Sequence, residues 1–134
     1  MVNGSYYDSD MCNASNSSVK LNNMSRFSIT NHKGFHLSFN NGWQVSVQFG
    51  PGNYCERREE SCDSPQKEDY WSSSNAEIAV WRNFGKHHLI MLENDVVRGW
   101  TSAREVALVI YKVSTAKSTL TNKQMTKRLE VIWK

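Results

Sequence analysis

Alternation of apolar and polar residues is the dominant pattern in this chain, and it starts only after residue 24. Between Gly34 and Asn40, Phe35, Leu37 and Phe39 fall on one side of a two-residue period, with His36 and Ser38 on the other. Asn40-Asn41-Gly42 then supplies a hairpin turn, because Asn-Gly accepts the positive φ angles that tight turns demand. The return stretch places Trp43, Val45, Val47 and Phe49 on one face and Gln44, Ser46 and Gln48 on the other. A period of two predicts strands with one packed face, and the Gln and Ser face is expected to meet water or a ligand. Ser25–Thr30, Glu77–Arg82, His87–Leu92 and Val96–Trp100 read as further strands separated by Gly, Asn and Asp turn residues.

The period changes at Ser102. Ser102-Ala103-Arg104-Glu105 is a capping box, with a serine at the cap and a glutamate three residues on. It opens a helix expected from Ala103 to about Lys117, with Val106, Val109, Ile110 and Val113 in a stripe that suits the apolar face of the sheet. The predicted fold is therefore α+β: a small antiparallel β-sheet of about four to six strands, built from hairpins and packed by one C-terminal α-helix. Residues 1–24, rich in Ser and Asn, read as a disordered or arm-like segment, residues 25–117 as a single α+β domain, and residues 118–134 as a basic C-terminal extension. That extension suits either a second short helix or an oligomer arm. Cys55 to Tyr70, with nine charges within Glu56–Asp69, reads as an exposed loop.

Charge sharpens this division. Residues 1–111 carry ten basic and twelve acidic side chains, net −2, whereas residues 112–134 carry six basic side chains and only Glu130, net +5. A basic tail of this kind suits nucleic acid or an acidic partner protein, or is simply solvated. No apolar run reaches the roughly 20 residues of a membrane span, and the N-terminus lacks the apolar core of a secretory signal. A reducing compartment follows as the expectation, with Cys12, Cys55 and Cys62 as free thiols. On that reading the sequons at Asn3, Asn13, Asn16 and Asn23 reflect composition rather than glycosylation.

The chain has no GxxxxGK, GxGxxG, GxSxG or HExxH motif. Cys55 and Cys62 lack metal-finger spacing, and His87-His88 in a strand would face opposite ways. No catalytic residue, metal or cofactor is assigned. Two places suit binding. In the first, Asn53, Tyr54, Arg57 and Arg58 follow a Gly-Pro-Gly turn; a tyrosine stacks on a base and arginine forks match phosphate oxygens. In the second, Arg98, Trp100 and Arg104 flank the helix start, where unpaired N–H groups favour an anion. The competing readings are a surface loop whose arginines pair with Glu56, Glu59 and Glu60, and a plainly capped helix with Trp100 in the core. The two places are expected to share a ligand if they meet at one sheet edge or across a dimer interface.

The blocks GWQVSVQFGPGNYCERR, SSNAEIAVW and DVVRGWTSAREVALVI resemble small proteins encoded by tailed bacteriophages over roughly residues 34–114, with VSVQFGPGNYC the most distinctive part. Among named families, an antiparallel sheet followed by one C-terminal helix is similar to the Thoeris anti-defence proteins. That resemblance implies a non-enzymatic sponge that sequesters a cyclic ADP-ribose-like or cyclic nucleotide signal in the cytoplasm of the infected bacterial host. It also implies a homo-oligomer using stacking aromatics and arginines at a subunit interface, with Tyr54, Arg57, Phe84, Arg98 and Arg104 as the matching residue types. The alternative expectation is an interaction protein that inhibits a host protein or nucleic-acid complex, or a minor virion component.

Overall fold

Five strands form one antiparallel sheet in sequence order: β1 (Arg26–Thr30), β2 (Gly34–Ser38), β3 (Trp43–Gln48), β4 (Asn75–Arg82) and β5 (Arg98–Ser102). Two helices follow, α1 (Ala103–Ser114) and α2 (Asn122–Glu130), and a 3₁₀ turn closes the chain at Val131–Trp133. This architecture is that of a computed structural model, which describes residues 25–31, 33–62, 70–82 and 89–134. The expected N-terminal arm with Cys12, as well as Phe84, His87 and His88, lies outside the described residues. The fold is α+β as the alternation predicts, with α2 added to the single expected helix.

Register follows the alternation. Leu37 lies opposite Val45, which lies opposite Val80; Phe35, Val47 and Ile78 make the next row. These rows face α1, whose Val106, Val109 and Val113 are buried against Trp43, Val45, Val47, Ile78 and Val80. Full burial of a side chain of this size contributes about 1.5–3 kcal/mol, so these rows supply most of the drive to fold. The capping box at Ser102 forms as predicted, with Glu105 N–H donating to Ser102 Oγ and Ser102 N–H donating to Glu105 Oε1. The helix ends at Ser114 rather than near Lys117, with Thr115 at its C-cap, and Asn41 on the β2–β3 turn caps carbonyls at that end. Asn41 Nδ2 donates to Val113 O at 2.8 Å and Ala116 O at 2.9 Å, while Oδ1 accepts from Trp43 N–H at 3.0 Å.

Residues 118–134 pack rather than trail. Met125 and Leu129 of α2 are fully buried in the same core, and Thr121 caps the helix reciprocally with Gln124. Arg82 donates to Ser118 O and Leu120 O with its guanidinium over the Trp43 ring, and Arg128 donates to Lys112 O at 2.8 Å. Part of the basic tail's charge is thus used internally.

Two expectations are corrected. The Gln and Ser face is largely closed to water: Ser38, Gln44 and Ser46 are buried, and Gln48 is half-buried. Trp81 stands opposite Gln44 and His36 opposite Ser46, and their rings meet edge to face at 5.1 Å, roofing the small polar side chains of β3. Burial there holds the His36 imidazole below its ordinary pKa. The expected strand His87–Leu92 is also absent in its described part, where Leu89 and Leu92 make only isolated bridges to Trp81 and Asp95.

Candidate functional site

Pairing between β4 and β5 shifts register between Ala76 and Ile78, so that one residue of β4, Glu77, stands against two of β5, Gly99 and Trp100. A bulge of this kind re-aims a side chain. The Glu77 carboxylate accepts from Asn53 Nδ2 at 3.2 Å and from Tyr54 N–H at 3.1 Å. Next to it, Asn75 Oδ1 accepts from Glu56 N–H at 2.7 Å, and Glu56 Oε1 accepts from Ser74 N–H at 2.8 Å. The fifth tie runs to β5, where Trp100 N–H donates to Tyr54 O at 2.8 Å. Hydrogen bonds of this kind are each worth on the order of 1 kcal/mol net, so the turn is held as a rigid piece.

The Gly-Pro-Gly turn opens a set of tight turns through Glu60; the described part of the expected Cys55–Tyr70 loop is exposed apart from the buried Cys55 and the half-buried Arg57. Arg58 N–H donates to Cys55 O, Gly52 N–H to Arg58 O, and Asn53 Oδ1 accepts from Gly50 N–H. Cys55 is fully buried, with Sγ donating to Gly50 O at 3.7 Å, and burial pushes its thiol up from the ordinary value. A buried, protonated thiol is a poor nucleophile. Cys55 and Cys62 are free, and among the described residues no group of three or more His, Cys, Asp or Glu could hold a metal.

Gly99 lets the two candidate places touch. A Cβ at Gly99 would lie 2.4 Å from Tyr54 Cβ and 2.9 Å from Tyr54 O. Only a residue without a side chain admits Tyr54 here. Trp100 adopts φ 53°, the left-handed region that costs a bulky L-residue about 1–2 kcal/mol. Its ring is 57% exposed and that of Tyr54 42% exposed, so Trp100 is not a core residue.

The predicted site residues divide into two groups. Asn53, Arg57 and Arg98 serve the fold. Arg57 donates to Ser72 O at 2.6 Å, lies 4.9 Å over the Trp71 ring and pairs with Glu60. Arg98 pairs with Glu93 and stacks 4.2 Å over Trp133. The second group is presented outward. Arg58 is exposed, 4.9 Å over the Tyr54 ring, with the exposed Glu59 as its ion-pair partner among the described residues. Arg104 is exposed in the first turn of α1. Tyr54 thus meets Trp100 and Arg58 at the β5 edge of the sheet, while Arg104 follows Trp100 along the chain at the start of α1. A concavity of about 370 Å³ opens beside Trp100, lined by Glu93, Asn94 and Asp95.

Glu77, Asn75 and Gly99 are not recognisable as site residues from sequence, because the part each plays depends on where the turn at residues 50–60 returns to the sheet. The shifted β4–β5 register has no signature in residue type. No protein-family model, curated protein or solved structure matches the chain.

Proposed function

We propose that this chain is a non-enzymatic binding protein that holds a small nucleotide at the β5 edge and so removes it from solution. The carrying observation is the Trp100 N–H to Tyr54 O hydrogen bond, which joins the backbones of two exposed aromatic residues, with the Arg58 guanidinium over the Tyr54 ring. Exposed rings offer stacking worth about 1–3 kcal/mol per base, and exposed guanidiniums offer forked donors to phosphate oxygens. The resemblance to phage anti-defence sponges supplies the ligand class, cyclic ADP-ribose-like or cyclic nucleotide signals.

Thermal unfolding across a panel of cyclic ADP-ribose isomers and cyclic dinucleotides tests the reading. A ligand at 100 times its Kd stabilises the fold by about 2.7 kcal/mol, a rise of roughly 10 °C in Tm for a domain of this size. Trp100→Ala and Arg58→Ala should abolish the rise, and the ligand should be recovered chemically unchanged after heating. A flat response across the panel, or a cleaved ligand, refutes the proposal.

A further inference from the structure

The opposite edge of the sheet carries a second surface. β1 is the outermost strand, and Phe27 and Ile29 lie on the same face as the core, opposite Leu37 and Phe35 of β2. Yet they are 83% and 88% exposed, because α1 lies over β3, β4 and β5 only. Beside them a cleft of about 470 Å³ is lined by Phe35, Phe49, Tyr70 and Trp71. Natural edge strands are guarded by lysine, proline, bulges or inward charges. β1 reads RFSIT, with Arg26 at its end and none of these devices within it. It is also held firmly: Gly34 has no side chain, so Gln48 reaches across β2 and its Oε1 accepts from Thr30 Oγ1 at 2.7 Å.

We infer that β1 is a dimer edge, pairing antiparallel with β1 of a second copy about a two-fold axis at Ser28. The register is set by the side chains. Centred on Ser28, Phe27 lies opposite Ile29 of the second copy and Ile29 opposite its Phe27, giving two aromatic–aliphatic pairs on one face. Centring on Phe27 or Ile29 instead leaves one apolar residue facing Ser25 or Asn31. A two-fold of this kind keeps both core faces on the same side, so the second copy closes the cleft beside Phe49 and Tyr70. The area suffices: Phe27, Ile29 and Tyr70 together expose about 450 Å² per copy at roughly 150 Å² each. That is over half of the roughly 800 Å² per partner typical of a specific interface, and the β1 backbone and cleft rim add the rest.

The test uses the full chain carrying Cys12→Ser and Cys62→Ser. Residues opposed across such an axis have Cα atoms about 4.5–5.5 Å apart, within disulfide range. Ser28→Cys should therefore cross-link under mild oxidation, while Arg26→Cys, which would face Thr30 of the second copy, should not. In sedimentation equilibrium the parent should be dimeric, and Ile29→Lys, at an exposed position, should weaken the dimer at least about tenfold with unchanged circular dichroism. A monomeric parent at 100-micromolar-scale concentration, as when residues 1–24 occupy the edge instead, overturns the inference. So does equal cross-linking at positions 26 and 28. Neither result bears on nucleotide binding at β5.

Discussion

Gly99→Ala probes whether the turn carrying Tyr54 rests on β5. The added Cβ would meet Tyr54 Cβ at 2.4 Å and Tyr54 O at 2.9 Å, whereas carbon atoms pack at about 3.5–4.0 Å. Neither contact is the far end of a flexible side chain, so the whole turn must retreat by roughly 1 Å. That stretches the 2.8 Å bond from Trp100 N–H to Tyr54 O beyond hydrogen-bonding range. Loss of the bond costs about 1 kcal/mol, and the crowding about 1–3 kcal/mol. Reduced freedom of the unfolded chain returns about 0.4–1 kcal/mol, since the φ of Gly99 is open to alanine. The net expectation is a loss of about 2 kcal/mol, or roughly 1 M in urea midpoint. Tyr54→Gly removes one of the two clashing atoms, so a double-mutant cycle in urea should show coupling of about 1 kcal/mol. A midpoint for Gly99→Ala within about 0.2 M of the parent, or no coupling to Tyr54→Gly, refutes the packing of Tyr54 on β5.

Two further outcomes follow from the sheet. Gly34→Ala would set a Cβ 2.5 Å from both Gln48 Oε1 and Val47 O; a destabilisation of about 2 kcal/mol is expected, seen as a Tm loss of roughly 8 °C and faster amide exchange in β1. His36 has a folded pKa held below 6.5 by burial, so the unfolded chain binds the extra proton first. Its contribution to stability is therefore complete above about pH 6.5 and falls as pH drops below that value. Urea midpoints between pH 5 and pH 7.5 should show this slope in the parent and a shallower one in His36→Gln; equal slopes would refute the assignment.

The hairpin, the core face and the capped helix were legible because each rests on a short-range rule. Alternation set the faces of β2 and β3, Asn41-Gly42 the turn, and Ser102 with Glu105 the helix start. The burial of Gln44 and Ser46 was not legible, because Trp81 and His36 roof them from strands on either side. Residue type also could not separate Arg58 and Arg104 from Arg57 and Arg98. What divides them is contact with Ser72, Trp71, Glu93 and Trp133, all set by tertiary placement. The residues at positions 53 to 58 and 98 to 104 were expected to share a ligand if they met. They meet through Gly99, whose part depends on where the turn returns to the sheet.

Asn41 bears on the order of assembly. The carbonyls it caps lie 72 and 75 residues further along the chain. The β2–β3 hairpin needs only neighbouring residues and closes on the microsecond scale, whereas the Asn41 cap on the end of α1 forms only once hairpin and helix have come together. Closing so long a span draws on chain entropy that only the assembled core returns. A residue set in a turn thereby ties the end of the helix to the start of the sheet, joining two distant parts of the chain through one side chain.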